Sequence, residues 1–487
     1  MSSSTQELSP AETGPAPDEI ISSKEIDASC RYPVLLFFIS AAVWFLVSSI
    51  LGLLVSIKLH SPNFLASCEW LTYGRIRPVQ LDSLVYGFAV QAALGVTLWL
   101  FCRLGRTRLF APGILLLAAK IWNMGVLIGC AGILAGDSTG IEWLEFPRYA
   151  SPILFGAYLL IGVWAALTFH SRRQQQLFPS QWYLFAALFW FAWIYSAANM
   201  LLVFVPVRGV VQICVNAWFT SNLLNVWLSL IGVGAIFYFI PKLTNRPLHS
   251  YYLAQFAFWG IALFGGWGFI NVNAPLPSWI PAISNVAAVM MILPVICVAL
   301  NLWGTLRGIL AGNKKYFSEN PTLGFVLLGA LSFLLAQTMN ILSALRPLNE
   351  ILYFTYFIAG QTQLILQGFF ASVMFGAIYY IVPRLLGVKE FSTRSLRLHY
   401  IFFSLGIVLS TFMGLSLNGI FQGIKLNNPQ ISFVEVIKEK LPLLQISTLG
   451  SLFTVIAALI FLFNLISLLV YTARACCQSK SKSEVLS

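Results

Sequence analysis

The sequence predicts an all-α polytopic membrane protein of about twelve transmembrane helices, and three observations support this fold class. Hydrophobic residues make up 58% of the 487 residues, and charged residues make up only 9%, whereas a soluble protein carries about 25% charged residues. The mean hydropathy is +0.81. The apolar residues also fall into runs of roughly 20, the length that a helix needs to cross a bilayer. A chain of this composition cannot cover itself with polar surface.

Twelve apolar runs have membrane-crossing length. In chain order they are Pro33–Leu59, Val79–Cys102, Phe110–Ala135, Ser151–Phe169, Trp182–Phe204, Trp218–Ile240, Tyr251–Val272, Trp279–Trp303, Leu323–Leu345, Ile351–Val382, Leu398–Phe421 and Leu444–Tyr471. The first run is too long for a cleavable signal peptide. We therefore expect a disordered tail at 1–32, rich in Ser, Pro, Glu and Thr, a membrane domain at 33–472 and a short second tail at 473–487.

The distribution of charge predicts how the chain is oriented. Alternate loops carry clusters of lysine and arginine, such as Arg103 with Arg106 and Lys242 with Arg246, while the opposite loops hold acidic residues such as Glu142. Positive loops stay on the cytoplasmic side. We therefore expect a multi-pass protein of the cell inner membrane with both termini in the cytoplasm. The net charge of +12 is explained by these loops, and no nucleic-acid partner is expected.

The tenth run carries polar side chains where a lipid-facing helix would have none. Gln361 and Gln363 are two residues apart, so at roughly 100° per residue they leave the helix on nearly opposite faces. Gln367 lies one turn below Gln363, on the same face. The pattern predicts a helix placed between two polar sites.

Two charged residues fall inside predicted spans, where charge is expensive and is usually turned toward other helices. Asp82 lies near the outer end of the second run, and Lys120 lies well inside the third. One interpretation places both on a proton or ion path, together with Tyr251 and Gln367. The other is that each is paired within the bundle or, for Asp82, hydrated from outside.

Several motifs resemble those of one family. They are Trp70-Leu-Thr-Tyr-Gly-Arg-Ile-Arg-Pro78, Val85-Tyr-Gly-Phe88, Ile240-Pro-Lys, Arg246-Pro-Leu-His-Ser-Tyr-Tyr-Leu253, Pro277-Ser-Trp279 and Ala377-Ile-Tyr-Tyr-Ile-Val-Pro-Arg-Leu385. In these motifs the chain resembles subunit I of the cbb3-type cytochrome c oxidases, which are heme-copper oxidases. The resemblance implies a twelve-helix bundle in the respiratory chain, with heme b and copper as cofactors and cytochrome c as electron donor.

The resemblance also implies six histidine ligands, which this chain lacks. Its four histidines, His60, His170, His249 and His399, are expected at span ends or in loops. By the resemblance, the heme-ligand positions fall on Gln80, Gln361 and Gln363, and the copper-ligand positions fall on Ser221, Phe269 and Ile270. Tyr251 matches a tyrosine that the family links covalently to the ligand at the Ser221 position.

Amide and hydroxyl groups are weak ligands for heme iron and Cu(I), so neither heme nor copper is expected. Arg75 and Arg77 resemble family residues near the heme propionates. They either retain an anionic group or anchor the outer surface.

Three functions remain open at this point. The first is a non-catalytic subunit that scaffolds a respiratory complex, with other membrane subunits and membrane-anchored c-type cytochromes as partners and with the vacated pockets filled by side chains, lipid or quinone. The second is a catalytic oxidase that reduces oxygen and translocates protons. The third is a channel or transporter for protons or small solutes.

Overall fold

A computed structural model of the chain describes residues 22–268, 270, 275–310, 320–388 and 391–485. Within these residues it contains eleven helices long and apolar enough to cross a membrane and one shorter apolar helix. We label them α1 Ser23–His60, α2 Tyr73–Gly105, α3 Pro112–Ala135, α4 Ala150–His170, α5 Pro179–Phe204, α6 Val210–Thr244, α7 Tyr251–Phe264, α8 Trp279–Gly308, α9 Pro321–Ala344, α10 Tyr356–Leu386, α11 Thr393–Leu426 and α12 Phe433–Arg474. The predicted fold class is confirmed.

The first helix begins earlier than the predicted boundary at Pro33. It starts at Ser23, and the Ser22 hydroxyl caps it by accepting a hydrogen bond from the Glu25 backbone N–H. Asp27 explains the extension, because its carboxylate lies 3.1 Å from Arg103 and accepts a hydrogen bond from the Trp99 indole at 3.0 Å. The last part of the predicted tail at 1–32, from Ser23 onward, is therefore part of α1.

Three helices form the centre of the bundle. The most apolar stretches of α2 and α6 are completely buried, and that of α10 is 89% buried. α10 contacts both α2 and α6, and α2 meets α6 through the rings of Trp99 and Tyr238, whose centroids are 5.9 Å apart. The α6–α10 contact depends on the absence of a side chain at Gly232, because a Cβ at that position would overlap the ring of Phe369.

Each central helix contains a π-helical segment immediately after a position that the sequence analysis selected. The segments are Ser83–Ala89 in α2, Asn222–Trp227 in α6 and Leu364–Ala371 in α10. π-Turns are rare and often occur at functional sites. They shift the register of the buried face by one residue, and the sequence analysis did not predict them.

One histidine lies deeper than predicted. His399 is fully buried within α11, and its Nδ1 is 2.8 Å from the Tyr379 hydroxyl. The rings of Phe325, Phe375 and Phe461 pack around it. The expectation that every histidine lies at a span end or in a loop is therefore wrong for His399, which serves the packing of α9 to α12.

Candidate functional site

Gln80 of α2 and Gln363 of α10 line the same cavity, which we call the Gln363 cavity. It has a volume of about 100 Å³, and Gln367 also lines it. The Arg77 guanidinium donates a hydrogen bond of 2.7 Å to the Gln80 side-chain oxygen. Ser56, Ser410, Ser447 and Ser451 add four hydroxyl groups to its wall. The structure thus brings together the three glutamines that the sequence placed on two different helices.

Gln361 lines a second cavity, the Gln361 cavity, on the opposite face of α10. Its volume is about 160 Å³, and the side-chain nitrogen of Gln361 has no hydrogen-bond partner among the described residues. Amide and hydroxyl side chains dominate the polar part of its wall: Asn285, Asn340, Asn349, Thr220, Ser284, Ser343 and Thr362. A helix between two polar sites is therefore what the structure contains.

Of the positions matched to copper ligands, Ser221 lies where α6 meets the end of α7, and Ile270 follows α7 in the chain. The buried Ser221 hydroxyl donates a 2.7 Å hydrogen bond to the Gly265 carbonyl oxygen. The backbone N–H of Ile270 donates to the Ser284 hydroxyl at 3.1 Å, and Ile270 lines the Gln361 cavity. Phe269 lies outside the described residues. The Ser221 hydroxyl is thus engaged in holding the two helices together.

The two arginines matched to propionate contacts have different surroundings. Arg75 donates a 3.0 Å hydrogen bond to the Leu134 carbonyl and lies against Gly136, which ends α3 with φ of 101°. It therefore ties α2 to the end of α3. Arg77 alone faces the Gln363 cavity.

The structure separates Tyr251 from Ser221. Tyr251 is the first residue of α7 and is 49% exposed, whereas Ser221 contacts Gly265 just beyond the other end of that helix. At about 1.5 Å per residue, the length of α7 places them about 21 Å apart along its axis. The match of Tyr251 to a residue beside the copper position is therefore corrected.

Asp82 is buried beside an acidic residue of the loop between α3 and α4. Neither Asp82 carboxyl oxygen has a hydrogen-bond partner among the described residues. The neighbouring acid is Glu145, also buried, in the loop between α3 and α4. Tyr86 fixes this loop, because its hydroxyl donates to the Trp143 carbonyl at 2.5 Å. The two acids form a buried pair, which explains Asp82 without a route through the membrane.

We predict that Glu145 makes stability depend on pH. Burial, assisted by the charge of Glu142, raises the pKa of its carboxyl from 4.5 to about 7, although hydrogen bonds from the backbone and from the Asp82 side chain oppose the shift. The folded protein therefore binds more protons than the unfolded chain between these values, so the melting temperature should fall as the pH rises from 4.5 to about 7. Glu145→Gln should flatten this slope in a thermal-denaturation series.

Glu69→Gln is the matched control, because Glu69 is exposed in the loop after α1. It should leave the slope unchanged. A slope in the Glu145→Gln variant equal to that of the native protein would contradict the assignment.

Lys120 does not join the other charged residues. It is exposed on the outer face of α3, in line with the exposed side chains of Leu117, Met124 and Leu127. The expectation that it faces the bundle interior is wrong. The set Asp82, Lys120, Tyr251 and Gln367 therefore does not converge on one path.

The residues present do not fit the cofactors that the sequence resemblance implies. Three amides line the Gln363 cavity. Cavities that hold even drug-sized ligands are roughly 300–1,000 Å³, well above the volume of this cavity, which is about 100 Å³. Among the described residues no three His, Cys, Asp or Glu side chains are grouped as a metal would need. His399 lines neither cavity.

The buried helices α2, α6 and α10, with a cavity on either side of α10, define a polytopic α-helical membrane bundle. The chain belongs to the family "Cytochrome C and Quinol oxidase polypeptide I", whose model matches residues 32–453.

Curated relatives and a solved structure agree with this assignment. The chain is 24% identical over 468 residues to a cytochrome c oxidase subunit 1 homolog of Azorhizobium caulinodans, covering 90% of this chain and 82% of the relative. It is 22% identical over 400 residues to the cbb3-type cytochrome c oxidase subunit CcoN1 of Stutzerimonas stutzeri, covering 80% and 83%. A cryo-EM structure of a heme-copper terminal oxidase dimer superposes with a TM-score of 0.72 at 15% identity, covering 89% of this chain and 84% of that chain.

Proposed function

We propose that this protein is a non-catalytic subunit I homologue that keeps the oxidase bundle as a membrane scaffold of a respiratory electron-transfer complex. One observation carries the proposal. Gln80 of α2 and Gln363 of α10, the positions that the resemblance matches to heme ligands, line one cavity, and both carry amide side chains. The family fold is retained, and this pair supports the inference that the family's ligand chemistry is not.

The surroundings of these positions support the same proposal. The Gln80 side chain packs against Gly52 of α1. If Gly52 carried a Cβ, that atom would lie 3.7 Å from the Gln80 side chain. Arg77 donates its hydrogen bond to Gln80. The Ser221 hydroxyl donates its hydrogen bond to the Gly265 backbone carbonyl. Gln80 and Ser221 therefore make hydrogen bonds within the protein, as buried polar side chains generally do.

Oxygen uptake tests the proposal against the catalytic alternative. Purified protein supplied with reduced cytochrome c should consume no more oxygen than the donor alone, because no imidazole is placed to bind the iron or copper that activates oxygen. Uptake that depends on the protein and stops with cyanide would establish a terminal oxidase and overturn the scaffold.

The partners follow from the family. Relatives of this chain are subunits of cytochrome c oxidases by name, so we propose that it assembles with other membrane subunits, among them membrane-anchored c-type cytochromes. We place it in the inner membrane with both termini in the cytoplasm, because the basic loops lie on the side of the termini.

A further inference from the structure

The basic end of the bundle contains a third cavity that neither the vacated positions nor the proposed scaffold accounts for. It lies between the ends of α2 and α6 and the starts of α5 and α7, with a volume of about 400 Å³. Its wall includes Lys242, Arg246 and Tyr251 on the polar side and Phe178 and Phe237 on the apolar side.

The charge of this cavity is uncompensated. Within the described part of the chain, neither Lys242 nor Arg246 forms an ion pair, and the cavity wall contains no carboxylate. Asp27 is the acid close enough to act electrostatically on the wall residue Tyr238. Its charge is already paired with Arg103, at a distance of 3.1 Å. A ligand for this site must therefore bring the negative charge itself.

The position of Arg246 is set by its neighbours. Its guanidinium lies directly over Gly308 of α8, where any Cβ would overlap it. Asn245, in the left-handed conformation with φ of 52°, ends α6 and turns the chain so that Arg246 leaves the helix. The arginine is thereby held beside α8, and Tyr251, which is exposed at the start of α7, lines the same cavity.

The depth and the apolar wall select the source of the anion. The cavity opens at the ends of membrane helices, where a lipid headgroup lies, and its aromatic wall continues into the bundle. Basic pockets between transmembrane helices on the cytoplasmic side favour anionic lipid headgroups. A free anion would leave the apolar half of the cavity without a partner.

We propose that this cavity binds one anionic phospholipid, with its phosphate held by Lys242 and Arg246 and an acyl chain along Phe178 and Phe237. In this assignment the exposed Tyr251 forms part of the wall of the lipid site. It does not depend on whether the protein carries heme.

Native mass spectrometry of the detergent-purified protein tests the proposal with phosphatidylglycerol, phosphatidylcholine of the same acyl chains, and glycerol phosphate as probes. The native protein should retain phosphatidylglycerol and release the other two. Lys242→Gln with Arg246→Gln should weaken phosphatidylglycerol binding by about thirtyfold, the effect expected from two basic contacts. Lys242→Arg should retain the lipid.

Arg394→Gln with Arg474→Gln is the matched control, because it removes two exposed charges from the same end of the bundle and should not change binding. Equal retention of phosphatidylglycerol and phosphatidylcholine by the native protein would overturn the proposal, as would unchanged binding in the Lys242/Arg246 variant. Glycerol phosphate bound as tightly as the lipid would show a site for soluble anions instead.

Discussion

Cysteines placed at Gln80 and Gln363 should be bridged by a mercuric ion, whereas cysteines at Gln80 and Gln361 should not. The first two positions line one cavity, and Gln361 lines the cavity on the other side of α10. Soft thiolates bind such metals strongly, so a bridged pair should be protected from maleimide after denaturation. Mass spectrometry of the protected peptides distinguishes the introduced pair from the native cysteines.

This comparison is controlled within one helix, because Gln361 and Gln363 differ by two positions and about 200° of rotation. Each single cysteine variant should remain fully reactive. The contradicting result is that mercury protects the cysteine pair at positions 80 and 361 from maleimide but leaves the pair at positions 80 and 363 reactive. It would mean that α10 is rotated and that Gln80 and Gln363 do not converge.

Gly232→Leu should destabilise the protein by about 2–3 kcal/mol, the upper part of the range for overpacked cores. The new side chain would occupy the place of the Phe369 ring in the π-helical segment of α10. Because α6 and α10 are both buried at this contact, neither helix can move away without disturbing the bundle. The expected loss is measured as folded protein remaining after heating, by size-exclusion chromatography in detergent.

Gly156→Leu is the control, since a Cβ at that position of α4 meets no atom within 4 Å and should cost less than about 0.5 kcal/mol. Adding Phe369→Ala to Gly232→Leu should cost less than the sum of the two single changes, because they share one contact. Strict additivity would contradict the described packing of α6 on α10.

Helical periodicity was sufficient to predict some of the site. The opposite faces of Gln361 and Gln363 follow from the rotation per residue alone, and the structure places them in separate cavities. The convergence of Gln80 with Gln363 required the family resemblance as well, because periodicity fixes directions on one helix but not the contacts between helices.

Other features were beyond prediction for physical reasons. Apart from Lys120 and Asn123, the residues of α3 are apolar or small on every face of the helix. Its sequence therefore gives no clear signal for the buried side, and the exposure of Lys120 could not be derived. Glu145 lies near Asp82 because the loop after α3 folds back onto α2, where the Tyr86 hydroxyl donates a hydrogen bond to the Trp143 carbonyl. Sequence periodicity gives no information on this loop. π-Turns have no composition signal of their own. Tyr251 was misplaced because a motif match fixes position in the chain but not depth in the bundle.

The most direct test of the account is the reduced-minus-oxidised visible spectrum of the purified protein, recorded with copper analysis of the same sample. Amides at Gln80, Gln361 and Gln363 predict a flat spectrum in the heme b region and no copper bound in proportion to protein. A heme b band that copurifies with the chain, or stoichiometric copper, would show that residues other than histidine hold the cofactors and would contradict the non-catalytic assignment.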